Sequence, residues 1–207
     1  MLKTITRQIP AFALAAAFGA VTLSPAFAAD GKALYADKGC AACHGEDAKT
    51  PLQEGFPKLA GQSAEYIANQ IKDIKSGARK NGQTVDTMKP IVEDLAEADA
   101  KAIADYLFSL KEAPAAAAAA PAAGAPHPGK TLFLTKTCVA CHGKEGKKPL
   151  PGYPMIGGQD KAYILAQTKD IKSGARANGK ANAMQPVMHL VNDDEIGQIA
   201  DYLSTVK

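Results

Sequence analysis

Cys40-Ala41-Ala42-Cys43-His44 and Cys138-Val139-Ala140-Cys141-His142 use up every cysteine of this 207-residue chain. Each reads as the C-x-x-C-H attachment site of a c-type haem. The spacing has a chemical reason. Two thiols three residues apart lie on one helical turn, where each can add across a haem vinyl group to form a thioether. The histidine that follows is placed beneath the ring, with an imidazole nitrogen for the iron. C-x-x-C alone also serves zinc sites and dithiol redox enzymes. Here the two pairs are far apart and each runs directly into histidine, which speaks for two covalent haem c groups over zinc.

Outward from these motifs the chain is one module written twice. Lys72-Asp73-Ile74-Lys75-Ser76-Gly77-Ala78-Arg79 recurs unchanged as Lys169-Asp170-Ile171-Lys172-Ser173-Gly174-Ala175-Arg176. Ile103-Ala104-Asp105-Tyr106-Leu107 recurs as Ile199-Ala200-Asp201-Tyr202-Leu203. The cysteines are offset by 98 positions and the last tyrosines by 96, so the copies differ by two small deletions. We therefore expect a domain over 29–112, an Ala/Pro-rich linker over 113–128 and a second domain over 129–207. The linker composition cannot build a core. Its prolines break helices, its alanine run is too short to be helical alone, and in extended form it spans tens of ångströms.

Within each copy the apolar spacing is helical, so the fold expected is all-α. A first helix begins near Gly31 or Gly129 and runs into the haem motif, with a glycine for close helix contact beside Tyr35 or Phe133. A middle helix starts at the N-caps Ser63 and Asp160, buries Ile67, Ile71 and Ile74 in the first copy, and stops at Gly77 and Gly174. A last helix buries Ile103, Leu107 and Leu110, or Ile196, Ile199 and Leu203. Asn192 and Glu195 suit a capping box, and Tyr106 and Tyr202 should pack on the first helix. So small a bundle buries little apolar surface, so each half should depend on its haem for a core.

Residues 1–28 read as a secretory signal: Lys3 and Arg7 precede an apolar stretch from Ile9 to Leu23, and Ala26-Phe27-Ala28 offers a cleavage site. The expected location is the periplasm, where free thiols would otherwise oxidise. Without that segment the chain carries 22 basic and 21 acidic residues. There is no basic stripe for nucleic acid. The charge is uneven: residues 29–112 carry 11 basic and 14 acidic residues, and residues 127–207 carry 11 and 7. Such a dipole can orient redox docking.

The sixth iron position decides the function, and the duplication selects its occupant. Met88-Lys89-Pro90 aligns with Met184-Gln185-Pro186, whereas Met155 falls on Lys58, Met188 on Val92 and His189 on Glu93. Only Met88 and Met184 recur. They lie 44 and 42 residues after His44 and His142, in what reads as a loop between the middle and last helices. Met188 is left to packing or to service as a reserve ligand. Pro57 and Pro154 sit in turns that could offer a carbonyl to each histidine's other nitrogen, and Arg79 and Arg176 could pair with haem propionates.

At these residues the chain resembles the class I c-type cytochromes, most closely the dihaem cytochrome c4 family. The likeness spans both C-x-x-C-H modules, the proline turns before Gln62 and Gln159, the Lys-Ser-Gly-x-Arg helix ends and the Met-x-Pro segments. It implies tandem helical bundles, each around one covalent haem held by Cys40 and Cys43 or by Cys138 and Cys141. It also implies His44 with Met88 and His142 with Met184 as axial pairs. A monomeric periplasmic carrier follows, loosely associated with the inner membrane and exchanging electrons with quinol-oxidising complexes and terminal oxidases. The linker is long for a family whose domains pack as a pseudo-twofold pair, which speaks against rapid transfer between the haems. The other readings are an electron-transfer subunit of a periplasmic sulfur-compound or flavin dehydrogenase and, further off, a dihaem peroxidase.

Overall fold

The computed structural model describes residues 30–111 and 127–207, and among them there is no strand. The expected signal segment and nearly all of the expected linker lie outside the described residues. In the first domain α1 (Gly31–Asp37) is followed by α2 (Ala41–His44), α3 (Ala64–Ser76), α4 (Met88–Val92) and α5 (Glu97–Ser109). The second repeats the order with α6 (Pro128–Thr135), α7 (Val139–His142), α8 (Lys161–Ser173), α9 (Ala181–Met188) and α10 (Asp193–Thr205).

The first and last helices of each domain cross in close contact because a glycine lets them. A Cβ on Gly31 would stand 2.1 Å from the Ala102 carbonyl oxygen, and one on Gly129 only 1.8 Å from that of Gln198. Beside each crossing an aromatic pair closes the gap. Tyr35 meets Tyr106 at 5.8 Å between ring centroids, and Phe133 meets Tyr202 at 6.0 Å. The expected faces of α5 and α10 supply the rest of the core, with Ile103, Leu107, Ile196, Ile199 and Leu203 all buried.

The middle helices begin and end where the sequence indicates. Ser63 Oγ accepts from the Tyr66 N–H and an Asp160 carboxylate oxygen from the Tyr163 N–H. Gly77 and Gly174 close α3 and α8 in the left-handed conformation, which costs glycine least. At α10, Asn192 and Glu195 form the reciprocal capping box.

Four expectations change. The first helix does not run into the haem motif: the chain turns at Gly39 (φ 74°) and Thr137 (φ 63°), so each C-x-x-C-H occupies its own helical turn. Met88 and Met184 stand on the short helices α4 and α9 instead of a loop. Pro128 opens α6 instead of ending the linker: it needs no N–H partner at a first helical position, and His127 Nδ1 caps the turn through the Gly129 N–H. Finally, the two domains are docked. Hydrogen bonds cross between them from Gly55, Lys58, Gln62, Arg79 and Asn81 to the second domain, and those of Lys58, Gln62, Arg79 and Asn81 repeat in reverse from Met155, Gln159, Arg176 and Asn178.

Candidate metal centres

Each C-x-x-C-H turn is anchored by its own backbone. The His44 and His142 N–H groups donate to the Cys40 and Cys138 carbonyls at 3.0 and 3.1 Å. The histidines are buried and the four cysteines are half-buried free thiols. Burial pushes the Cys40 and Cys138 thiols above their ordinary range.

The histidine environment is the informative part. His44 Nδ1 lies 2.9 Å from the Pro57 carbonyl oxygen and His142 Nδ1 lies 3.0 Å from that of Pro154. A carbonyl only accepts, so Nδ1 carries the proton in both rings. Burial holds both imidazoles below their ordinary pKa, against the opposing effect of those carbonyls, and so favours the neutral form. A neutral ring protonated at Nδ1 presents its Nε2 lone pair. His44 Nε2 is a buried polar atom without a hydrogen-bond partner among the described residues. Edge contacts from Phe56 and Tyr153, each 6.2 Å from its histidine between centroids, hold the rings in place.

Those nitrogens face space lined by thiols and thioethers. A cavity of about 450 Å³ is bordered by Cys40, Cys43, His44 and Met88 and continues to Cys138 and His142 of the other domain. A second, also about 450 Å³, is bordered by Cys141, His142, Tyr153 and Met184. An orphaned imidazole nitrogen, two thiols and a methionine around one apolar void are a donor set that fits a covalent haem iron. Among the described residues, no group of three or more His, Cys, Asp or Glu is placed to hold a metal ion by itself.

The sequence profile of cytochrome c matches residues 28–111 and again 127–207. The chain belongs to the cytochrome c family. It is 34% identical to a cytochrome c4 of Pseudomonas aeruginosa, over 79% of this chain and 82% of that one. It is also 34% identical to a thiosulfate dehydrogenase electron acceptor of Stutzerimonas stutzeri, over 86% and 87%. The crystal structure of reduced cytochrome c4 from Pseudomonas stutzeri superimposes with a TM-score of 0.68 at 29% identity, covering 87% of this chain and 98% of that one. The family is that of the dihaem cytochromes c4, with two covalent haem c groups, one per domain, and electron transfer as the activity. Its members are carriers and not enzymes.

In this cytochrome Cys40, Cys43, His44 and Met88 border one cavity and Cys138, Cys141, His142 and Met184 the other, and two sets of neighbours stand close by. Met188 is buried in the second core, and it borders both cavities as well. Arg79 and Arg176 are both buried between the domains, Arg79 on Tyr163 Oη (3.3 Å) and Gln167 Oε1 (3.0 Å), Arg176 on Tyr66 Oη (3.0 Å) and Gln70 Oε1 (3.1 Å). Asn81 bonds Asp170 at 2.6 Å and Asn178 bonds Asp73 at 2.7 Å, completing a reciprocal seam. Reading the helices alone passed over Tyr66, Gln70, Asn81 and their partners. A signal was available: all are identical polar pairs in the repeat with no evident task inside a single module.

Proposed function

We propose that this cytochrome is a periplasmic electron carrier whose irons are held by His44 with Met88 and by His142 with Met184. Cys40, Cys43, Cys138 and Cys141 form the thioethers. The observation that carries the reading is the buried, unpartnered Nε2 of His44, facing a cavity that Met88 also borders. The proline carbonyl on Nδ1 sets the tautomer this role needs. Bound in this way, each haem supplies a one-electron couple, and methionine ligation favours the ferrous state and a high potential. The protein's part is to orient the ligands and keep water from them.

The buried arginines support a further role. Their hydrogen bonds run to neutral oxygens of Tyr, Gln and Asn, and a buried guanidinium is costly without a counter-charge. A haem propionate held by Arg79 or Arg176 would supply one. Secretion rests on the charged and apolar pattern of residues 1–28, and among the described residues no helix is long and apolar enough to cross a membrane. Quinol-oxidising complexes and terminal oxidases are the partners this reading assigns. A second reading has its own support: likeness to a thiosulfate dehydrogenase electron acceptor favours service to a sulfur-compound dehydrogenase.

A redox titration of the purified protein, followed in the visible and near-infrared, tests the ligand assignment. Two reversible haems with the methionine–iron band in the oxidised state are expected. Met88→Ala should remove that band from one haem and lower its midpoint, and Met184→Ala should do the same to the other. A full-intensity band in either variant would sink the corresponding assignment. Co-purification with a larger dehydrogenase, and fast reduction by it, would select the second reading over a freely diffusing carrier.

A further inference from the structure

Two buried glutamines occupy the same place in the two domains and reach in opposite directions across the seam. Gln159 Oε1 accepts from the Lys58 N–H at 2.7 Å, and its Nε2 donates to the Lys58 carbonyl at 3.0 Å. Gln62 Oε1 accepts from the Met155 N–H at 2.7 Å, and its Nε2 donates to the Met155 carbonyl at 2.9 Å. Both glutamines are buried, Gln62 at 4% exposure and Gln159 at 6%. The contact is made to backbone alone, which is why one copy can carry Lys and the other Met there while glutamine stands in both.

The N–H groups they hold are special in one respect. The Lys58 nitrogen belongs to the same peptide group as the Pro57 carbonyl, and that carbonyl accepts from His44 Nδ1. The Met155 nitrogen shares a peptide with the Pro154 carbonyl, which accepts from His142 Nδ1. Each domain thus closes a chain from a glutamine oxygen, through one peptide group, to the histidine of the other domain.

We propose that Gln159 and Gln62 are crossed positioning residues, each setting the donor strength of the axial histidine in the opposite domain. Hydrogen bonds in series polarise one another. An acceptor on the peptide N–H makes its carbonyl a stronger acceptor, which draws the Nδ1 proton and leaves Nε2 more electron-rich. A more basic ligand favours ferric iron, so the intact relay lowers the potential of the haem it points at. The domains then sense one another: docking lowers both potentials, and separation raises both.

The inference rests on His44 and His142 being iron ligands, and the test keeps the two questions apart. In the full-length holoprotein, Gln159→Leu should raise the midpoint of the first domain's haem and leave the second in place. Gln62→Leu should do the reverse, with each midpoint assigned through its haem-methyl NMR resonances. The Nδ1 proton resonance of His44 should move in Gln159→Leu, and that of His142 in Gln62→Leu. Gln159→Glu keeps an acceptor on the Lys58 N–H and should stay at or below the wild-type midpoint; it carries the test if the leucine variant does not fold. Intact methionine–iron bands with no crossed shift would overturn the relay and leave the ligand assignment standing. Equal movement of both midpoints, or movement only in the substituted domain, would also overturn it by exposing simple loosening of the seam. A His44 that does not bind iron would lack hyperfine-shifted ring resonances in the unaltered oxidised protein, independently of either glutamine.

Discussion

Tyr35 ties α1 to the end of the first haem motif, its hydroxyl donating to the Gly45 carbonyl at 2.8 Å in a buried setting. Burial is also the main reason its phenol stays protonated far above the ordinary range. The second copy has Phe133 in this place, so the two cores are not equivalent. Tyr35→Phe should cost about 0.5–1.5 kcal/mol, the worth of one buried hydrogen bond, because the Gly45 carbonyl keeps the Ala48 N–H as a partner. Equilibrium denaturation of the holoprotein, with the first domain's haem absorbance as probe, reads this directly. No comparable loss is expected from changing Phe133 to Leu beyond its packing. At this scale the cysteines, histidines and recurring methionines were legible because their chemistry is tied to local spacing. The glutamine contacts were not, since a side chain reaching 101 positions along the chain leaves no local pattern.

The helices depend on close approach at one point and a strained turn at another. Gly129→Ala would push a methyl group into the Gln198 carbonyl, and α6 and α10 would have to part. Overpacking of this kind costs about 3 kcal/mol, and urea unfolding should show it as a lowered midpoint for the second domain. At the turn before the motif, the first copy has glycine at a left-handed position and the second has Thr137 (φ 63°). A β-branched residue there is strained by about 1–2 kcal/mol. Thr137→Gly should therefore stabilise the second domain by about 1 kcal/mol once glycine's greater chain entropy is counted, measured as a higher thermal midpoint. The helix ends were readable in advance from Ser63, Asp160, Gly77, Gly174 and Asn192. The break at Gly39 and Thr137 was not, because threonine gives no warning of a left-handed turn and the apolar pattern continues across it.

Across the whole molecule the seam decides how the two halves behave. Arg176 donates to Asn178 and Gln167 on its own side and to Tyr66 and Gln70 on the other. Arg176→Ala would take the donor from Asn178 Oδ1 and Tyr66 Oη and empty a buried place in the seam, while Gln70 and Gln167 keep Arg79 and an asparagine. We expect the domains to separate, seen as a larger radius of gyration in solution scattering, and the single unfolding transition to split in two. The sequence by itself determined two haem domains, the ligand candidates in each and the helical scaffold around them, because these follow from motif spacing, apolar period and the duplication. It could not determine that the domains dock. The long Ala/Pro stretch argued for a loose tether, and a linker limits only how far two domains can move apart. Docking is decided by whether two surfaces complement one another, and only the tertiary structure brings Arg79, Arg176, Gln62 and Gln159 to their partners.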